Sequence, residues 1–284
     1  MPTIRLGLIG DNIAASRSPA FHRLAGQMCG LDVSYDLLVP RELKLDFDGV
    51  FNRARRNGYR GLNITYPYKE TVMSRIRIGD PNVRAIAACN TVVFDGPDAI
   101  GANTDYSGFV AAYRGCFGPV APGIVAMAGC GGVGKAIGFA LASVGAKALR
   151  LFDTDPAKAE HLAQALAAPH PALEVQLARS VEQACEGTDG LVNCTPMGMV
   201  GYGGSAFPNT ALGKRRWAFD AVYTPIDTPF LVAARAAGLS VMSGYELHLH
   251  QAVDCFRIFT GREIDLAALR RTLAKSESNL PQMP

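Results

Sequence analysis

Three groups of residues have the types and spacing to do chemistry. The first is Gly129-Cys-Gly131-Gly132-Val133-Gly134, which fits G-x-G-x-x-G. It follows the apolar run 124–128 and precedes Ala136, Ile137, Ala140, Leu141 and Val144 at helical spacing. In that order the first glycine makes a tight turn, the second lets a pyrophosphate approach the backbone, and the third packs helix on strand. The N–H groups at the helix start then face the phosphates. Asp153 ends the next strand, about 20 residues past the last glycine, where a carboxylate accepts ribose hydroxyls and repels a 2′-phosphate. The alternative for Asp153 is capping of the helix that begins near Pro156.

The second group is Asn63-Ile-Thr65-Tyr-Pro-Tyr-Lys69. An expected helix over 68–76 places Lys69 in its first turn, where the helix dipole disfavours a charged ammonium. Such a lysine suits proton transfer at an alcohol/ketone pair; a surface lysine is the competing reading. Asn103-Thr-Asp105 brings a carboxylate that can orient the lysine and, when charged, opposes the dipole. In the third group, Ser16-Arg-Ser18-Pro19, two hydroxyls and free backbone donors can hold a small carboxylate. Ser18 capping a helix with Pro19 at its first position explains the same residues. His248 and His250, two apart on a helix, point to different faces, so no metal is expected. Gln251 can hydrogen-bond a hydroxyl or simply lie at the surface.

These residues need elements to position them. Strands are expected over 4–9, 33–39 and 61–65, with helices from Pro19, over 43–57 and over 68–76, then a hairpin of 88–94 and 99–102. A helix over 107–115 and a Gly/Pro-rich turn lead into a second β-α series. Its further strands lie over 148–152, 173–177, 190–194, 217–220 and 240–242, with a helix over 246–260 and a loose tail over 275–284. The expected fold is α/β: a first domain over 1–106, completed by 243–284, and a dinucleotide-binding domain over 107–242. The C-terminal helices should pack back on the first domain.

The 284 residues suffice for two ordinary domains, and nearly half are hydrophobic. A net charge of +3, with no basic run beside aromatic pairs, argues against nucleic acid as a partner. The cluster Arg53, Arg55, Arg56 and Arg60 fits a solvated helix end. No apolar run has the length of a signal peptide or a membrane span. Seven scattered cysteines without C-x-x-C fit neither a disulfide framework nor a zinc site, so a reducing cytoplasm is the expected location.

Taken together, the motifs resemble the shikimate dehydrogenase family over nearly the whole chain. The matching segments are Ser16-Arg-Ser18-Pro19, Asn63-Ile-Thr65-Tyr-Pro67-Tyr-Lys69, Asn90-Thr91, Gly101-Ala-Asn103-Thr-Asp105 and the glycine loop. Asn193-Cys-Thr195-Pro-Met-Gly198-Met, Asp220-Ala-Val-Tyr223-Thr-Pro225 and Gln251-Ala252 complete them. The resemblance implies Lys69 and Asp105 as the catalytic pair and a Rossmann domain beside an α/β substrate domain. It implies Ser16 and Ser18 on the substrate carboxylate, with Thr65, Asn90, Tyr223 and Gln251 completing the pocket. On the cofactor side it implies Gly129, Gly131, Gly132, Val133, Gly134, Asp153, Lys158, Val222 and Gly244, with Thr195 and Met197 along the nicotinamide.

The departures carry information as well. Biosynthetic members usually have histidine before the first serine, where this chain has Ala15, and often glycine where it has Tyr106. NADP-using members have arginine just after the second Rossmann strand; Asp153 and Thr154 stand here, so NAD is expected, with Lys158 leaving some tolerance for NADP. Segment 249–261 looks most like the NAD-linked quinate/shikimate dehydrogenases, which tend to carry threonine where Ser18 stands. The expected activity is hydride transfer between NAD and shikimate, or quinate, giving the 3-dehydro ketone, by a monomer or homodimer without membrane partners. Competing readings are an aminoshikimate or other cyclohexane-carboxylate dehydrogenase, an NADP-dependent biosynthetic shikimate dehydrogenase, a nucleotide sensor on this scaffold, and a methyltransferase. The lysine–aspartate pair stands against the sensor, and Asn193-Cys-Thr195-Pro-Met-Gly-Met against the methyltransferase.

Overall fold

The structure, a computed structural model, describes residues 3–14 and 16–278. Ala15 and the last part of the expected tail, 279–284, lie outside the described residues. The chain forms two compact units. One joins the chain up to Ile76, Thr91–Ile100 and the chain from Ala252 on; the other joins Arg77–Asn90 and Gly101–Gln251.

In the first unit the strands Val33–Leu38, Ile4–Ile9 and Gly61–Ile64 lie parallel in that order. Thr91–Asp95 extends the sheet antiparallel to Gly61–Ile64, and the expected hairpin leads on into Asp98–Ala102. Parallel neighbours need crossovers, and the helices Ser18–Met28 and Phe47–Arg56 supply them. The helix expected over 43–57 is broken. Lys44, in the left-handed region at φ 54°, ends Pro40–Leu43, and Asp46 caps the next helix by accepting from Gly49 N at 2.7 Å. The C-terminal part packs back here as expected: a Cβ on Gly61 would lie 2.4 Å from the Phe259 ring, and Arg60 Nε donates to the Phe259 carbonyl at 3.1 Å. The tail expected from 275 is instead helical as far as Ser278, in the helix Leu266–Ser278.

The second unit carries six parallel strands in the order Glu174–Leu177, Ala148–Phe152, Ile124–Ala128, Gly190–Asn193, Trp217–Asp220, Ser240–Ser243. Numbered along the chain this is 3-2-1-4-5-6, the doubly wound order whose ligands bind beyond the strand ends where the order reverses. The central strands are apolar runs because helices cover both faces. Phe109, Phe139 and Phe219 are fully buried in one of its cores, each such side chain contributing about 1.5–3 kcal/mol by leaving water. Two features depart from expectation. The helix placed at 107–115 begins at Thr104, and an extra helix, Pro81–Ile86, is capped by Asp80. Among the described residues no helix is long and apolar enough to cross a membrane.

Candidate active site

The switch point of the second sheet lies between Ile124–Ala128 and Gly190–Asn193, and both strands end there in loops with predicted roles. Gly129, at φ +93°, could not carry a side chain: its Cβ would meet Cys194 C at 2.7 Å and Thr195 N at 2.8 Å. A Cβ on Gly134 would meet the Gly129 carbonyl at 2.2 Å, which is the close helix–strand packing expected of the third glycine. Gly131 and Gly132 differ. Their added Cβ atoms would meet nothing within 4 Å, so the backbone at the start of the helix Gly132–Ser143 stands open to a phosphate. Val133 follows within the first turn of that helix. The cradle therefore fits a dinucleotide pyrophosphate.

Asp153 does not cap the following helix; Asp155 does, accepting from Ala157 N at 3.2 Å. The Asp153 carboxylate instead accepts from Cys130 N at 2.7 Å and from Asp155 N at 2.9 Å. It is thereby fixed beside the glycine loop. Lys158 pairs with Asp155 at 3.9 Å on the surface. Burial first, and then the Asp153 charge, push the Cys130 thiol up to about 12, so this loop cysteine is no nucleophile.

Across the switch point, Asn193 Oδ1 accepts from Thr195 N at 2.9 Å and Thr195 Oγ1 at 2.7 Å, and its Nδ2 donates to the Met197 carbonyl at 3.1 Å. The same Nδ2 donates to Asp220 at 2.9 Å. Val222 N and Thr228 Oγ1 also donate to Asp220, at 3.0 and 2.6 Å. Gly244 is glycine for packing: a Cβ there would meet the Ala221 carbonyl at 2.4 Å and the Val222 carbonyl at 2.7 Å.

Burial pushes the Asp220 carboxyl up to about 6 from 3.8, against the pull of its Thr228, Val222 and Asn193 hydrogen bonds. A proton held by the native state and lost by the unfolded one means stability that falls as pH rises through this interval, by roughly 3 kcal/mol. Urea unfolding of the wild type and Asp220→Asn should therefore show the wild type losing ground to the variant between pH 4 and pH 6.5. Parallel profiles would refute this.

The residues expected on the substrate side fall into both units. In the first, Ser18 is the first residue of its helix and Arg17 the cap, with no side-chain capping bond. Capping thus does not account for Ser18. Ser16 Oγ donates to Ser18 Oγ at 3.2 Å and accepts from Ser18 N at 3.3 Å. Ser18 in turn bonds the buried Tyr35 hydroxyl, which donates to Asn63 Oδ1 at 2.9 Å. Tyr35 is thus a brace that no sequence motif marks, and Asn63, the first residue of the lysine segment, is its partner. Thr65 ends the strand Gly61–Ile64, its N–H held by the Ile9 carbonyl at 2.9 Å.

Lys69 is half-buried, but its expected setting is absent. Residues 66–70 are turns, and only a five-residue 3-10 helix follows, Thr71–Arg75. The α-helix start expected at Lys69 is therefore not formed.

In the second unit it is the acid that occupies a helix start. Asp105 is buried in the first turn of the helix Thr104–Phe117, whose cap Asn103 accepts from Tyr106 N at 3.1 Å. That is the end of a helix where a carboxylate is favoured. Asn90 Oδ1 accepts from Thr104 N at 2.8 Å and Thr104 Oγ1 at 3.2 Å, so Asn90 is tied to this turn. Tyr223 stacks on His248 with ring centroids 4.9 Å apart. The Gln251 backbone approaches the same helix so closely that a Cβ on Gly108 would lie 2.8 Å from its N. Among the described residues no group of three or more His, Cys, Asp or Glu could hold a metal ion.

A model of the shikimate dehydrogenase substrate binding domain matches residues 8–92. Over 277 residues the chain is 39% identical to the quinate/shikimate dehydrogenase (NAD(+)) of Corynebacterium efficiens, covering 95% of this chain and 97% of that one. The chain belongs to the shikimate dehydrogenase family. Another family member, the shikimate dehydrogenase (NADP(+)) of Pseudarthrobacter chlorophenolicus, is 38% identical over 93% of this chain and 92% of its own. The quinate dehydrogenase from Corynebacterium glutamicum in complex with NAD superimposes with a TM-score of 0.90 at 36% identity, covering 96% of this chain and 99% of that one. The two-part α/β architecture read from the sequence is thus the family's architecture.

Proposed function

We propose that this family member is an NAD-linked oxidoreductase that interconverts shikimate, or quinate, with the corresponding 3-dehydro ketone. Family membership supports the reaction. One observation carries the cofactor: the Asp153 carboxylate fixed beside the glycine loop by the Cys130 and Asp155 N–H groups. A fixed negative charge there favours two ribose hydroxyls and repels a 2′-phosphate. Segments 1–106 and 243–284 take the substrate and 107–242 the dinucleotide. Functional borders need not follow compactness, since Asn90 and Asp105 carry substrate-side roles from within the second compact unit.

NAD, when bound, supplies the hydride acceptor. The alcohol must also release its hydroxyl proton, and Lys69 takes it while Asp105 orients the amine. Ser16 and Ser18 hold the substrate carboxylate; Thr65, Asn90, Tyr223 and Gln251 contact the ring hydroxyls. Thr195 and Met197 flank the nicotinamide. A panel of cyclic hydroxy acids, supplied with NAD and NADP separately and followed by the reduced-cofactor absorbance, tests the reading. Turnover of shikimate or quinate with NAD is expected; turnover of neither, or faster turnover with NADP, would overturn it.

Ser16→Ala should raise KM for shikimate by roughly 10- to 150-fold, the equivalent of one charged hydrogen bond of about 1.5–3 kcal/mol. NAD affinity should not change. An unaltered KM would remove Ser16 from the carboxylate site.

A further inference from the structure

The buried carboxylate of Asp220 has no place in the reaction described above, yet it sits where three loop starts converge. Its strand, Trp217–Asp220, ends beside Gly190–Asn193, and the side chain is fully buried. Oδ1 accepts from Asn193 Nδ2 at 2.9 Å and from Val222 N at 3.0 Å, while Oδ2 accepts from Thr228 Oγ1 at 2.6 Å. Each donor opens a different route. Val222 precedes Tyr223, Thr228 caps the helix Pro229–Ala236 through Leu231 N, and Asn193 leads to Thr195 and Met197.

The Asn193 route has directional content. An ionised carboxylate only accepts hydrogen bonds, so the amide end of Asn193 must face Asp220. Its carbonyl end must then face Thr195, where it receives both the N–H and the hydroxyl. Thr195 Oγ1 in turn accepts from Met197 N at 3.2 Å. A neutral amide at position 220 offers donors as well as an acceptor. Asn193 would then keep its Thr195 and Met197 partners but lose the charge-assisted anchor on its amide end, so the loop is held less firmly.

We propose that Asp220 is the positioning residue for the nicotinamide end of the cofactor site, fixing through Asn193 the loop that carries Thr195 and Met197. This rests on the dinucleotide reading above. It separates two parts of the cofactor site: the glycine loop and Asp153 hold the adenosine and pyrophosphate, and the Asp220 network aligns the redox ring.

The test compares NADH with ADP-ribose, which keeps the pyrophosphate and lacks nicotinamide, by calorimetric titration of the full chain. Asp220→Asn should lower the preference for NADH over ADP-ribose by about tenfold, the equivalent of one hydrogen bond, and leave ADP-ribose affinity unchanged. At saturating NAD, kcat should fall as well. A general loss of structure would weaken both ligands together, and that result, or a preference that survives intact, overturns the inference. Should Asp220→Asn fail to fold, Thr228→Val removes one arm of the network and should lower the same preference, whereas Thr228→Ser should restore it; equal behaviour of the two overturns the inference. A wild type that binds neither ligand overturns the dinucleotide reading, and this inference with it.

Discussion

Lys69→Ala is expected to lower kcat by about 10²–10⁴, the usual contribution of a positioned base, with a folded protein and unchanged NAD binding. Oxidising an alcohol by hydride loss leaves a proton that must go somewhere, and Lys69 is the residue assigned to it. A lysine that only bound substrate would raise KM and spare kcat, whereas a group acting in the transition state lowers kcat. Lys69→Met keeps the stem without the amine and should behave like alanine. Near-normal kcat at saturating substrate in either variant would make Lys69 a binding residue only. No α-helix dipole contributes to this effect, because residues 66–70 form turns ahead of a short 3-10 helix.

The second large effect concerns cofactor choice. The wild type should favour NAD over NADP by roughly 10- to 150-fold in kcat/KM, corresponding to one charge contact of about 1.5–3 kcal/mol. Asp153→Asn combined with Thr154→Arg exchanges a repelling charge for an attracting one and should reverse the order. Equal kcat/KM for the two cofactors in the unmodified enzyme would defeat the assignment of Asp153.

What could be read in the sequence follows from how local each signal is. The strand, glycine loop and helix around Gly129 are contiguous, and their apolar spacing survives into the structure unchanged. Around Lys69 the spacing of Val72, Met73 and Ile76 imitates an α-helix, while the chain makes turns and a 3-10 helix. Asp105 is legible as a chemical group but not as a helix residue, because the helix expected from 107 starts at Thr104, capped by Asn103. The Asp80-Pro81 pair, a cap followed by proline at the first helical position, is the local signal for Pro81–Ile86. The Ser18–Tyr35–Asn63 chain and the Asp220 network join distant segments. No local pattern announces such pairings; they exist only once the sheets set their strand order.

The bonds from Cys130 N and Asp155 N to Asp153 impose an order on any mutational path toward NADP. The side chain that screens the ribose is also a brace for the turn that receives the pyrophosphate. Discarding it first, as in Asp153→Ala, would leave an intermediate with a loosened cradle and no new cation, poor with either cofactor. Adding Thr154→Arg first supplies the cation while both bonds still stand, and Asp153→Asn then keeps one acceptor oxygen for the two N–H groups where alanine keeps none. Switching the nucleotide is in this chain an epistatic problem, in which the route decides whether the intermediate enzymes work.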